Sequence, residues 1–197
     1  MNREELEELH YIAPICNLGS IMSLGLLSHR RADKVEHSSI AMEEIQSRRA
    51  RKTVPAGRAL HQYVNLYINA RNKILFKIKD QHANLCVLRV STEVLDLPGV
   101  VVADRNASSD YARFAPAPDG LQHIDKRMVF ANYWTHSDDP IEEWRHGSIM
   151  CAEILVPDHV RPCYICGVYV SCREARSTIE RTNLSIPVEI KNRIFFR

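Results

Sequence analysis

Apolar and polar positions alternate most cleanly between residues 60 and 69. Val64, Leu66 and Ile68 fall on one face there, and Tyr63, Asn65, Tyr67 and Asn69 on the other. That period of two predicts a strand with one side in a core and the other offering aromatic rings and amides. A second pattern is the almost unbroken apolar run 148–156, ended by Pro157, which reads as a strand covered on both faces. Glu153 interrupts that run and shares a face with Cys151 and Leu155. Further strands are predicted at 85–91, 99–103, 164–171 and 186–196. Helical spacing predicts a short acidic lead-in at 4–10 and a helix at 14–24, with Pro14 in its first turn and Gly25 where it stops. Other helices are predicted at about 39–51, 121–135 and 173–181. Strands and helices do not alternate regularly, so the fold class expected is α+β in a single domain covering 1–197, not a doubly wound sheet.

Composition changes this picture little, but charge distribution changes it more. A net charge of +2 does not mark a nucleic-acid binder, yet 48–58 gathers Arg48, Arg49, Arg51, Lys52 and Arg58 without one acid. Such a cluster can hold phosphates whatever the whole-chain charge; it can also be the solvated end of a helix. No apolar run is long enough to span a bilayer, and the acidic start is unlike a signal peptide, so a cytoplasmic protein with no membrane partner is expected. Cys163-x-x-Cys166 is the one metal-like spacing among six scattered cysteines; with no second pair, no metal is expected. The Gly-x-Gly-x-x-Gly, Walker and Gly-x-Ser-x-Gly motifs are missing, and seven glycines leave little for a phosphate cradle. A nucleotide would have to be held by side chains and helix ends.

A carboxylate within an apolar strand loses hydration, so Glu153 must be paired, protonated or kept for chemistry. Its bland reading is an ion pair with one of the 26 Lys and Arg. The other chemistry-bearing pieces lie in order along the chain. They are His10-Tyr11-Ile12-Ala13-Pro14-Ile15-Cys16-Asn17-Leu18, Gly25-Leu26, Ile45-Gln46-Ser47-Arg48-Arg49, Val54-Pro55 and the segment from Leu60 through Asn72. Asp104-Arg105-Asn106-Ala107-Ser108 and Ala152-Glu153-Ile154-Leu155-Val156 complete the set. Over about residues 8–160, this order and spacing resembles the DarT family of DNA-directed ADP-ribosyltransferases. Two positions depart from the family pattern: Arg105 stands where glycine is usual, and Asn65-Leu66 where Pro-Phe is usual.

The resemblance implies the ADP-ribosyltransferase fold, two facing β-sheets with flanking helices that form a cleft for NAD, the co-substrate. It implies mono-ADP-ribosylation of a base, guanine or thymine, in single-stranded DNA; the two departures tilt the choice towards guanine. It further implies a toxin whose partner is an antitoxin ADP-ribosyl hydrolase of macrodomain or similar type. Glu153 is then the catalytic carboxylate, with Arg49 or Arg48 beside it. The same resemblance places His10, Ile12, Asn17, Gly25, Leu26, Arg48, Arg49, Tyr63 and Tyr67 at NAD. Arg51, Arg71, Asn72, Arg105, Asn106 and Arg145 are expected on the DNA. Aromatic residues mixed with cations in 119–147, Trp134 and Trp144 among them, suit unstacked bases. Two other readings stay open: an RNA or protein acceptor, and a non-catalytic nucleic-acid-binding module that consumes no NAD.

Overall fold

The computed structural model describes residues 1–55 and 57–197. The chain runs through β1 (Leu9–Pro14), α1 (Leu18–Leu24), β2 (Leu26–Leu27), α2 (His29–Ala32), α3 (Glu43–Ala50), β3 (Tyr63–Tyr67), α4 (Lys73–Lys77) and β4 (Leu85–Val90). It continues through β5 (Val101–Ala103), β6 (Phe114–Pro116), α5 (Lys126–Val129), α6 (Pro140–Ile149), β7 (Glu153–Pro157), β8 (His159–Val160), β9 (Ile165–Val170), α7 (Arg173–Glu180) and β10 (Val188–Ile190). Among the described residues no helix is long and apolar enough to cross a membrane.

Eight strands form one sheet in the order β10-β9-β4-β1-β3-β7-β5-β6, and β2 pairs with β8 in a separate ribbon. The larger sheet is continuous, and its two four-stranded halves meet at β1 and β3. β1 pairs with β4 at six positions, from Leu9↔Val90 to Pro14↔Leu85, and β3 pairs with β7 at five. Between β1 and β3, however, the one paired position is His10↔Tyr67. Past that seam the two strands part, and the gap between them becomes a cleft.

Several sequence expectations fail for identifiable reasons. The stretch 9–14 is a strand, not part of a helical lead-in and helix start. Leu9, Ile12 and Ala13 are all buried because both faces of the sheet are covered, which erases the alternation a half-exposed strand would show. One face packs Leu9, Val64, Leu66, Leu88 and Ile154; the other packs Ile12, Tyr67, Val87, Cys151 and Phe195. The run 148–156 divides into the end of α6 and the start of β7. The Asp139 side chain caps α6 by accepting N–H bonds from Ile141 (3.1 Å) and Glu142 (2.9 Å), with Pro140 in the first turn. The helix expected at 121–135 is reduced to α5 after a 3-10 turn, and the last strand keeps only Val188–Ile190.

Candidate active site

Glu153 is the first residue of β7 and has no solvent exposure. It sits opposite Tyr67 on one side and Ala103 on the other. Because directly paired residues share a face, His10, Tyr67, Glu153 and Ala103 form one row across the sheet. Arg49, in the last turn of α3, reaches into this row. Its Nη1 donates to both Glu153 oxygens, at 3.2 and 3.0 Å, and the backbone N–H of Ala107 donates to Oε1 at 3.2 Å. Arg49 is itself buried, and its Nη2 has no hydrogen-bond partner among the described residues. A buried guanidinium with one unused nitrogen has a donor available for a further acceptor.

The neighbouring groups stay neutral. Burial, with the Glu153 carboxylate added, pushes the Tyr67 hydroxyl well above the ordinary tyrosine range. The same two causes push the Cys151 thiol up to about 12, so it supplies no thiolate nucleophile at neutral pH.

The gap between β1 and β3 holds a cavity of about 200 Å³ that opens to solvent. Tyr11 and Ile12 line it from β1, and Tyr63, Asn65 and Tyr67 from β3. Gln46 and Arg49 come from α3, Asn106 from the loop after β5, and residues 37–42 close the far wall. Arg49 and Tyr67 are wall residues and neighbours of Glu153, so the carboxylate is approached through them. Gly25 and Leu26 also line the cavity. Gly25 has φ +82, and a Cβ there would collide with the Val160 carbonyl, so a side chain cannot replace its hydrogen. Asn17 is engaged with the chain itself: Nδ2 donates to Ser38 O at 2.8 Å, and Oδ1 accepts the Ser38 N–H at 3.0 Å. It pins the 37–42 segment across the cleft.

The other candidates divide sharply. Arg48 points away from Glu153 and pairs with Glu44 at 2.8 Å on the exposed side of α3, because adjacent helical residues diverge by about 100°. Arg51 caps the end of the same helix and is exposed. His10 does not line the cavity in this structure. Its Nε2 donates to Glu8 at 3.3 Å, and its buried Nδ1 lacks a partner among the described residues. Arg71 and Asn72 are engaged with the chain itself. Arg71 bonds the Arg193 carbonyl and lies over the Phe196 ring at 3.8 Å, while Asn72 is wholly buried as the cap of α4. Arg105 is held by Asp104 at 3.0 and 3.1 Å, and Arg145 by Glu142 at 2.7 Å. Trp134 is buried against Phe76 and Phe196, so it belongs to the core. No group of three or more His, Cys, Asp or Glu among the described residues is arranged to hold a metal ion.

Three features escaped the sequence reading. The Ala107 N–H could not be found because a backbone donor has no sequence signal. The 37–42 wall was taken for the start of a helix. Glu8 was counted as one more acid of the lead-in. Burial opposes its charge, but hydrogen bonds from His10, Tyr169 and Arg89 outweigh that and bring its carboxyl down to about 2.

Residues 10–196 match the family described as DarT, ssDNA thymidine ADP-ribosyltransferase. That description names thymidine, against the tilt towards guanine taken from Arg105 and Asn65-Leu66. A DNA ADP-ribosyl transferase–DNA ADP-ribosyl glycohydrolase fusion protein of Thermosipho africanus is 27% identical over 96% of this chain and 49% of its own. The chain therefore spans about half the length of that relative. The structure of Thermosipho africanus DarTG in complex with ADP-ribose superposes with a TM-score of 0.83 at 27% identity, over 96% of this chain and 51% of that one. A DNA ADP-ribosyl transferase of Thermus sp. is 30% identical over 68% of each protein. Thermus sp. 2.9 DarT in complex with ADP-ribosylated ssDNA gives a TM-score of 0.84 at 25% identity, over 98% of both chains.

Proposed function

The chain belongs to the DarT family of single-stranded DNA ADP-ribosyltransferases, and from that premise we propose that it transfers ADP-ribose from NAD to a thymine base in single-stranded DNA. The C1′–N bond to nicotinamide breaks, and nicotinamide leaves with the bonding pair. A ring nitrogen of the base bonds to C1′ and gives up its proton. NAD occupies the cleft between β1 and β3, with its nicotinamide ribose towards Glu153.

The transition state resembles an oxocarbenium ion, so a fixed carboxylate beneath it stabilises it more than the ground state. Glu153 also accepts the ribose 2′-hydroxyl and orients the sugar. The free Nη2 of Arg49 takes a phosphate oxygen of NAD or an acceptor atom of the incoming base, and the charge eases loss of the base proton. His10, in the same row across the sheet as Glu153, is assigned to a ribose of NAD, and Ile12, Asn17, Gly25, Leu26, Tyr63 and Tyr67 shape the cleft. The observation that carries this reading is the Arg49–Glu153 contact at the base of the cleft with one guanidinium nitrogen unspent.

The biological setting proposed is a toxin balanced by an ADP-ribosyl hydrolase. Support comes from the Thermosipho relative, in which a transferase and a DNA ADP-ribosyl glycohydrolase are one protein. The test is intact mass analysis of single-stranded oligonucleotides, each carrying a single thymine or a single guanine, incubated with NAD. A single ADP-ribose adduct on the thymine oligonucleotide, lost in Glu153→Gln, is the expected outcome. Adducts on guanine alone would replace the base, and NAD turnover without any DNA adduct would defeat the acceptor.

A further inference from the structure

Two large aromatic side chains stand in solvent beside the candidate active site with no core to join. Tyr111 is 68% exposed and Trp144 46%, and their rings meet edge to face with centroids 6.0 Å apart. Single exposed aromatics need no explanation, but two in mutual contact make an apolar patch, which is the informative case. Their position is fixed by the same backbone that holds Glu153. The loop after β5 donates its Ala107 N–H to the Glu153 carboxylate and its Asn106 N–H to the Ser148 carbonyl of α6, the latter at 2.9 Å. Tyr111 follows four residues later, so its Cα lies at most roughly 14 Å from that of Ala107. Trp144 comes from α6, the helix to which the loop is tied.

The charges around the pair suit an anionic chain. Lys52 donates to the Ser109 carbonyl and pairs with Asp110 at 3.2 Å, which brings the basic end of α3 against the loop. Arg51 and Arg113 are exposed, and neither has a carboxylate partner among the described residues. The nearest acids of α6 are engaged: Glu142 pairs with Arg145 at 2.7 Å, and Glu143 accepts the His136 N–H at 3.4 Å. Exposed aromatic rings in a surface that also carries unpaired cations are the combination that stacks bases of single strands while cations follow the phosphates.

We propose that Tyr111 and Trp144 form a stacking platform for the base flanking the target base in single-stranded DNA, with Arg51 and Arg113 on its phosphates. This rests on the reading of the cleft as a DNA ADP-ribosyltransferase site. The platform would hold the neighbouring base so that the target base is splayed towards C1′ of NAD. It takes any base, since every base has a π face, and it requires an unpaired strand.

The experiment uses the full chain, NAD and a series of oligonucleotides in which each position around one thymine is made abasic in turn. In the wild type, removing one particular flanking base should lower kcat/KM by roughly 5- to 100-fold, the range base–aromatic stacking supports. In Tyr111→Ala and Trp144→Ala that positional penalty should disappear, because the contact it reports is already gone. Tyr111 is so exposed that its variant tests the idea even if the Trp144 variant folds poorly. An equal penalty in wild type and both variants, or no positional penalty in the wild type, overturns the platform. Failure of the wild type to modify any oligonucleotide overturns the enzymatic reading instead, and that is seen before a variant is examined.

Discussion

Two arginines that each bury a nitrogen, Arg49 and Arg71, meet the same electrostatic demand with opposite results. Each lies in a segment that the sequence marks as polar and basic, and each has one buried nitrogen without a partner among the described residues. Arg49 faces a carboxylate at the floor of an open cleft. Arg71 faces a backbone carbonyl and the ring of Phe196, next to the fully buried cap Asn72, and so ties the C-terminal segment to the sheet. An unpartnered nitrogen is therefore no mark of a site by itself. What separates the two is an opposite charge that also needs a partner, together with space for a third group between them.

The sharpest way to break this comparison is to remove one charge from each region. Glu153→Gln keeps the shape of the side chain and should cost roughly 10²–10³ in kcat for adduct formation. Arg49→Ala should fall in the same range, whereas Arg48→Ala removes an exposed pair worth about 0.3–0.5 kcal/mol and should leave kcat alone. Initial rates on one thymine oligonucleotide decide this; equal losses at Arg48 and Arg49 would dissolve the distinction. The ion pair also alters what Glu153→Ala means. Truncation strands the Arg49 guanidinium and should cost stability, up to about 3–5 kcal/mol, so lost activity in that variant mixes catalysis with folding. A melting curve at the assay temperature must accompany it, and Gln is the cleaner substitution.

In the other region the effect should be on stability alone. Asn72→Ala deletes the cap of α4, worth about 1 kcal/mol, and should lower Tm by about 2–4 °C without changing kcat of the folded fraction. A loss of turnover at unchanged Tm would return Asn72 to the DNA-binding set. The last effect is confined to acid pH and belongs to Glu8. Its carboxyl is brought from 4.5 to about 2 in the folded protein, so its contribution to stability is complete above pH 4.5 and is lost as pH falls from there towards 2. Glu8→Gln should therefore flatten the acid side of a stability profile between those limits and leave the neutral region parallel to wild type. An unchanged acid slope would show that the His10, Tyr169 and Arg89 contacts contribute nothing to folding.

Glu153 and the Tyr63–Tyr67 strand were legible because strand alternation and a lone carboxylate are local signals. The seam at His10↔Tyr67 was not, since it depends on which strands become neighbours across the sheet. β1 was hidden by burial on both faces, and Pro14 looked like a helix start when it ends a strand. α6 carried its signal openly in Asp139-Pro140, but the apolar run beyond it was stronger and absorbed its last residues. Arg48 and Arg49 could not be told apart from sequence; a single helical step, set by how α3 packs, decides which of them faces inward.

Arg49 and Glu153 are 104 residues apart in the chain, and β7 must slot between β3 and β5 before they can meet. On a ribosome adding about 5–20 residues per second, the acid follows the arginine by roughly 5–20 s. Throughout that interval β3 and β5 have no strand between them, and Arg49 has no Glu153 to meet. The nascent polypeptide therefore lacks the Arg49–Glu153 pair until β7 has been made.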